Sequence, residues 1–190
     1  TKNNYLLDGC FQNYQIVKKN LPELYSYVEP YLSMKVDAKF EKLYSDILSK
    51  ENPVAICIRF YEETADSQFH AYEGKLTTPQ KYNKVIEEIE KNLNNPHFYI
   101  FIQSNNQFIS KLNFNSKFDI VSHDNGFIGT WERLRAQSYC KHHIFNNSTF
   151  YFWGAIFSKY LNPKKNTQSI IFASDNFIYR EIYNPDWNVF

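Results

Sequence analysis

Neither sign of charge prevails in this chain: 21 Lys and Arg stand against 20 Asp and Glu over 190 residues. That balance speaks against a broad electrostatic grip on nucleic acid or anionic lipid, so an anionic ligand has to be held locally. Cysteine is scarce too. Cys10, Cys57 and Cys140 are odd in number, far apart and without a C-x-x-C pair, which argues against a disulfide framework and favours a reducing compartment. The longest apolar runs, "FYIFI" and "FYFWGAIF", fall far short of the roughly 18 residues that cross a bilayer. The opening "TKNNYLLDGC" lacks a charged-then-apolar secretion pattern. No integral membrane segment is expected. The expected location is the cytoplasm, with the cytoplasmic face of the membrane as the alternative. Repeats, low-complexity blocks and Gly/Ser linkers are missing as well.

What the chain does have is apolar mass. Hydrophobic residues make up 43% and aromatics 18%, enough for one domain, or for one complete domain carrying part of a second. The first fifty residues read as helical connections. "DAKFEKLYSDILSK" puts Phe40, Leu43, Tyr44, Ile47 and Leu48 on one face, with Asp37 placed to cap the start. Ahead of it, "YLLDGCFQNYQIVKKNLPEL" reads as a short strand, a glycine turn and a helix. Those elements cannot close a domain by themselves.

From residue 51 the pattern becomes regular. "VAICIRF" is a nearly uninterrupted apolar run, and Thr78 with Pro79 can cap and open a helix carrying Tyr82, Val85, Ile86, Ile89 and Leu93. "FYIFIQ", a short helix near Asn106 to Leu112, "FDIV", "TWERLRAQSYC", "HHIF", a helix from near Ser148 and "SIIFAS" follow. Five apolar strands alternating with four helices predict an α/β fold with a parallel, doubly wound sheet covered on both faces.

Ligands of such sheets bind beyond the carboxyl ends of the strands. The residues there are polar: Arg59 with Glu62 and Glu63; Ser104, Asn105 and Asn106; Ser122, His123 and Asp124; Asn146, Asn147, Ser148 and Thr149; Ser174 and Asp175. Ser148 and Thr149 stand where a strand turns into a helix, whose free N–H groups and dipole suit phosphate, although Ser148 can equally be a plain N-cap. Arg59 would bring a permanently charged fork to the same rim, with a salt bridge to Glu62 or Glu63 as the alternative. The acidic stretch "FYEETAD" is either a solvated loop or the source of a proton-accepting carboxylate. "CKHH" offers three ligand types, but a strand sends His142 and His143 to opposite faces and no second cluster lies at metal-site spacing, so no metal is expected. Cys57, inside an apolar strand, reads as a core thiol.

"CKHHIFNNSTFYFWGAIFS" resembles the C-terminal motif of the alpha-1,2-fucosyltransferase family, glycosyltransferase family 11. "YLLDGCFQNYQIV", "AICIRFYEE", "YIFIQSNN" and "YNPDWNVF" fall in that family's order. The resemblance implies a GT-B-like fold, with residues 51–190 as the nucleotide-sugar (donor) domain and residues 1–50 as the end of an acceptor domain with its bridging helices. It implies inverting, metal-independent transfer of L-fucose from GDP-fucose to a glycan hydroxyl. A related transferase using another nucleotide sugar and a non-catalytic nucleotide- or glycan-binding remnant are the alternatives. By resemblance, Arg59 faces the diphosphate, Asn147, Ser148 and Thr149 form the phosphate-facing turn, Ser104 and Asn105 lie in the nucleotide segment, and Glu62, Glu63 or Asp66 accepts the acceptor's proton. Cys57, Phe60 and Tyr61-Glu62 replace the motif's histidine, second arginine and Gly-Asp. The family's N-terminal glycine loop is not found, so the chain is expected to be the latter part of an enzyme.

Overall fold

A computed structural model describes residues 13–60, 77–105, 107–162, 168–177 and 180–190. Two helices come first, α1 (Tyr14–Leu32) and α2 (Ala38–Ser49). Asp37 caps α2 as expected, its carboxylate accepting the Phe40 N–H at 2.9 Å. The strand and glycine turn expected before α1 lie outside the described residues.

Then β1 (Asn52–Cys57), α3 (Pro79–Asn92), β2 (Pro96–Phe101), β3 (Phe118–Val121), α4 (Thr130–Tyr139), β4 (His142–Phe145), α5 (Thr149–Leu161), β5 (Ile171–Ala173) and β6 (Asn188–Val189) follow. The strands form one parallel sheet in the order β3-β2-β1-β4-β5-β6. The sixth strand was not foreseen, because two residues are too few to carry a periodic pattern. The helix expected near Asn106 to Leu112 is a single 3-10 turn at Ile109–Lys111.

Side chains of a strand alternate between faces, and here the alternation divides the core in two. Ala55, Cys57, Tyr99, Phe101, Phe145 and Ala173 join one cluster with α1, α2, α4 and α5. Val54, Ile56, Ile58, Phe98, Ile100, Ile144 and Phe172 join a second with α3, through its Tyr82, Val85, Ile86 and Ile89. Because both faces are covered, β1 is buried along its whole length, which explains why "NPVAIC" has no polar alternation. Helices α1 and α2 thus share a core with the sheet. Arg135 of α4 reinforces that packing, donating from Nη1 to the Met34 carbonyl at 3.2 Å and stacking its guanidinium over Tyr44. Gly154 lets α4 and α5 approach closely, since a Cβ there would lie 2.6 Å from Gln137 Oε1.

His142 and His143 are both core residues and, as neighbours on a strand, go to opposite sides. His142 Nδ1 accepts the Ile170 N–H at 3.0 Å, and His143 Nε2 lies 3.2 Å from the Cys140 carbonyl. Burial, with the Lys141 and His143 charges adding to it, pushes His142 down to about 3; burial pushes His143 down to about 4. Both are therefore neutral when folded, while the unfolded chain protonates them near 6.5. The unfolded state binds more protons between those values, so stability is held above about pH 6.5 and is lost on acidification toward 4. Urea unfolding should give a free energy that falls between pH 7 and pH 5, on the order of 1 kcal/mol per pH unit for each displaced histidine. His143→Gln should flatten that slope. Equal stability of the parent at the two pH values would refute the burial argument.

Candidate functional site

In a doubly wound sheet of order 3-2-1-4-5-6, the chain leaves β1 and β4 toward opposite sides, and a crevice opens between their carboxyl ends. Here that switch point is bridged by one side chain. Asn146, directly after β4, accepts the Arg59 N–H at Oδ1 and donates from Nδ2 to the Arg59 carbonyl, each at 2.8 Å. Tyrosines from the two faces hold the same strand end. Tyr82 of α3 donates to the Cys57 carbonyl at 3.3 Å, and Tyr151 of α5 to the Ile58 carbonyl at 3.1 Å. The bonds to the Cys57 and Ile58 carbonyls are buried where water cannot replace them, and those to Arg59 are partly buried, which makes the backbone leading into Arg59 well determined.

Parity decides where the next residues go. Arg59 follows Ala55 and Cys57 toward the α4–α5 side, whereas Phe60 follows Ile56 and Ile58 to the other face, where its ring meets Phe108 edge-on at 5.3 Å. A hydrophobic side chain at 60 is thus part of the α3-side core. The Arg59 guanidinium reaches past β2, with Nη1 donating to Gln103 Oε1 at 2.8 Å.

The α5 N-terminus adjoins this point. Ser148 occupies the N-cap with extended backbone, yet its hydroxyl makes no capping bond, and no acidic residue stands in the first turn. The plain N-cap reading of Ser148 is therefore incomplete: the position is right and the capping oxygen is not used. Ser148 and Thr149 are partly exposed; Asn146 and Asn147 are buried. Of "YFW", Tyr151 and Phe152 are in the core and Trp153 is partly exposed.

Beyond β2 and β3 the polar residues bind one another. Asn105 N–H donates to Asp124 Oδ2 at 2.6 Å, Asn105 Nδ2 to Asn125 Oδ1 at 3.2 Å, and Ser122 Oγ to Asn105 Oδ1 at 2.9 Å. Asn105 thereby stitches two loops together, while Ser104 is exposed beside it. At the β5 end, Asp175 pairs with Lys81 of α3 at 2.8 Å. Structure thus collects Arg59, Asn147, Ser148 and Thr149 around the switch point and sets Ser104 and Asn105 one strand further out. Glu62, Glu63 and Asp66 lie outside the described residues, as does Asn106.

One rim residue was overlooked in the sequence. Arg133 of α4 donates from Nη2 to the Ile102 carbonyl at 2.8 Å and from Nη1 to His123 Nε2 at 2.9 Å. The available signal was α4 itself: "TWERLRAQSY" carries polar residues all round, and a helix of that kind packed in a core must bury some of them.

Cys57 and Cys140 are buried thiols that burial pushes far above the ordinary range, so neither is a nucleophile. Among the described residues, the ligand atoms of Asp46, His97 and Asp119 lie within 4.8 Å of one another, a spacing that could hold a metal ion. They border a cavity of about 450 Å³ that lies between α2 and the β2–β3 face of the sheet, lined also by Tyr99, Val121 and Phe127. His97 already bonds Asp119 at 2.6 Å, and Asp46 is engaged by Lys50 at 2.6 Å and by the Tyr99 hydroxyl at 2.5 Å.

The family model of glycosyl transferase family 11 matches residues 31–190, well over half of the chain. The chain belongs to glycosyl transferase family 11. No curated protein and no solved structure matches it. Membership sets the reaction class as glycosyl transfer, for which a nucleotide-sugar donor and a glycan acceptor are the substrate classes. The six-stranded parallel sheet fits a Rossmann-like transferase fold. Among the described residues no helix is long and apolar enough to cross a membrane.

For this family 11 protein, Asn146 is the residue on which the switch-point geometry turns. Asn146→Ala, which removes both bonds to the Arg59 backbone, should destabilise by about 2 kcal/mol or more in urea unfolding. Asn146→Asp, which can accept but not donate, should cost less. An alanine variant as stable as the parent would show that the bridge holds nothing in place.

Proposed function

We propose that this family 11 protein transfers L-fucose from GDP-fucose to a glycan hydroxyl with inversion, forming an alpha-1,2 linkage without a metal ion. The observation that carries the reading is the N-terminus of α5, where the Ser148 hydroxyl makes no capping bond, beside Arg59 at the switch point. Free main-chain N–H groups at a helix start and a guanidinium on the neighbouring strand form a natural seat for a diphosphate. Residues 51–190 would be the donor domain of a GT-B arrangement and residues 1–50 the end of the acceptor domain with bridging helices. Supporting that division, every described strand lies after residue 51.

Inversion in one displacement forms a bond from the acceptor oxygen to the anomeric carbon while the bond to the β-phosphate oxygen breaks. The electron pair leaves with GDP, and the hydroxyl proton passes to a carboxylate. Arg59 and the α5 dipole would stabilise charge as it develops on the leaving diphosphate, at little reorganisation cost because Asn146 already fixes the Arg59 backbone. Glu62, Glu63 and Asp66, a few residues after Arg59, are the candidate bases. Ser104 and Asn105 would serve the nucleotide; both are exposed, and Asn105 is the one already bonded to Ser122, Asp124 and Asn125.

The second reading is a binding-only protein, which the tie between Arg59 and Gln103 favours, since that bond has to be broken or shared when a diphosphate arrives. Calorimetric titration with GDP, UDP and GDP-fucose, with and without magnesium, separates the readings. GDP should bind more tightly than UDP, magnesium should change nothing, and GDP-fucose should turn over on a glycan acceptor. Binding without turnover on any acceptor supports the second reading, and preference for UDP points to another sugar. Arg59→Ala should weaken GDP by about tenfold or more, by loss of a charge-assisted contact, and abolish transfer. An unchanged GDP affinity removes Arg59 from the site.

A further inference from the structure

Arg133 lies in the first turn of α4, only 7% exposed, and among the described residues no carboxylate is paired with it. A buried guanidinium without a counter-charge is costly, and removing an arginine's proton is no escape. Burial lowers Arg133 from its ordinary value, Tyr151 and Cys57 oppose that, and the like charge of Arg59 adds the smallest lowering effect. The two guanidiniums grip consecutive residues of one strand end: Arg133 holds the Ile102 carbonyl and Arg59 the Gln103 side chain. Arg133 Nε is buried without any hydrogen-bond partner. Two cations thus meet at one strand end, and the charge of Arg133, with no carboxylate paired to it among the described residues, is one that a bound anion would relieve.

Arg133 also decides how His123 is protonated. Arginine can only donate, so His123 Nε2 must accept at 2.9 Å, which leaves the ring proton on Nδ1. His123 is partly exposed in the loop after β3, on the same rim. Its neighbour Asp124 and the residues Asn105, Ser122 and Asn125 are bonded among themselves, which fixes the loop that carries the ring.

We propose that Arg133 is a positioning residue of the diphosphate site: a fixed cation beneath the rim that doubles the positive charge at the end of β2 and holds His123 as an Nδ1–H donor for phosphate oxygens. The inference rests on the donor reading above and adds to it a cation and a donor at the ends of β2 and β3. No bond is made or broken at either residue.

Two measurements on the full chain test it. Ring 1H–15N spectra of the labelled protein, with His123 assigned through His123→Gln, should show the Nδ1–H form, and Arg133→Met should release the ring to a mixture of forms. Titration should show Arg133→Met binding GDP about tenfold or more weakly than the parent, as expected for loss of one charge near a diphosphate, with guanosine affinity unchanged. A merely structural role would weaken both ligands together. An Nε2–H ring in the parent, or parent-like GDP affinity in Arg133→Met, overturns the inference and leaves the donor reading intact. If the parent itself does not bind GDP, the donor reading fails, and the phosphate role of Arg133 fails with it. Should Arg133→Met not fold, the parent's ring form and the GDP affinity of His123→Ala decide: an Nδ1–H ring with weakened GDP supports the proposal, and any other pair of results overturns it.

Discussion

The two hydrogen bonds between the Asn146 amide and the Arg59 backbone are the constraint around which the rim is arranged. A parallel sheet pairs its strands only as far as both stay extended, and β1 and β4 part company where one turns toward the α3 side and the other enters α5. Asn146 spans that parting as a side-chain copy of the ladder it ends. It brings the start of α5 next to Arg59. Anything that binds at the switch point meets groups whose separation is set by this amide and by the hydroxyls of Tyr82 and Tyr151.

Strand parity then assigns duties to neighbours. Because β1 alternates strictly between two core clusters, consecutive residues at its end cannot both serve the crevice. Arg59 goes to the α4–α5 side, where Arg133, Gln103 and His123 lie, and Phe60 closes the α3-side cluster against Phe108. A rim on the α4–α5 side that holds positive charge and a face on the α3 side that excludes water follow from one backbone step.

The outline of this fold was readable in the sequence because burial on both faces leaves a plain mark. Apolar runs without alternation such as "VAICIRF" and "FYIFI" mean parallel strands, and Asp37 and Thr78 mark helix starts with oxygens that do cap. The site was readable only in part. Strand ends pointed to Arg59 and to Asn147, Ser148 and Thr149, since position along an element predicts which end of the sheet a residue occupies. Three things escaped. Asn146 could be placed at the rim but not recognised as a clamp, because its partner is 87 residues away. Arg133 sits inside a helix whose depth in the core depends on α2 and α5. Asn105 carries the right chemistry for a ligand, yet in three dimensions its amide is engaged by Ser122 and Asn125. Long-range pairing, unlike periodicity, has no local imprint.

The sheet ends in two different ways. On one side β6 offers only Asn188 and Val189 to a would-be neighbour; on the other, β3 is four residues long and has exposed Asp119 and Lys117 on and beside it. An incoming strand would find too little ladder at the first border and exposed charged side chains at the second, which are features by which natural sheets resist edge-to-edge growth into aggregates. Strands rich in phenylalanine and isoleucine could otherwise seed fibrils, so brevity at one margin and charge at the other keep such a sheet from recruiting copies of itself.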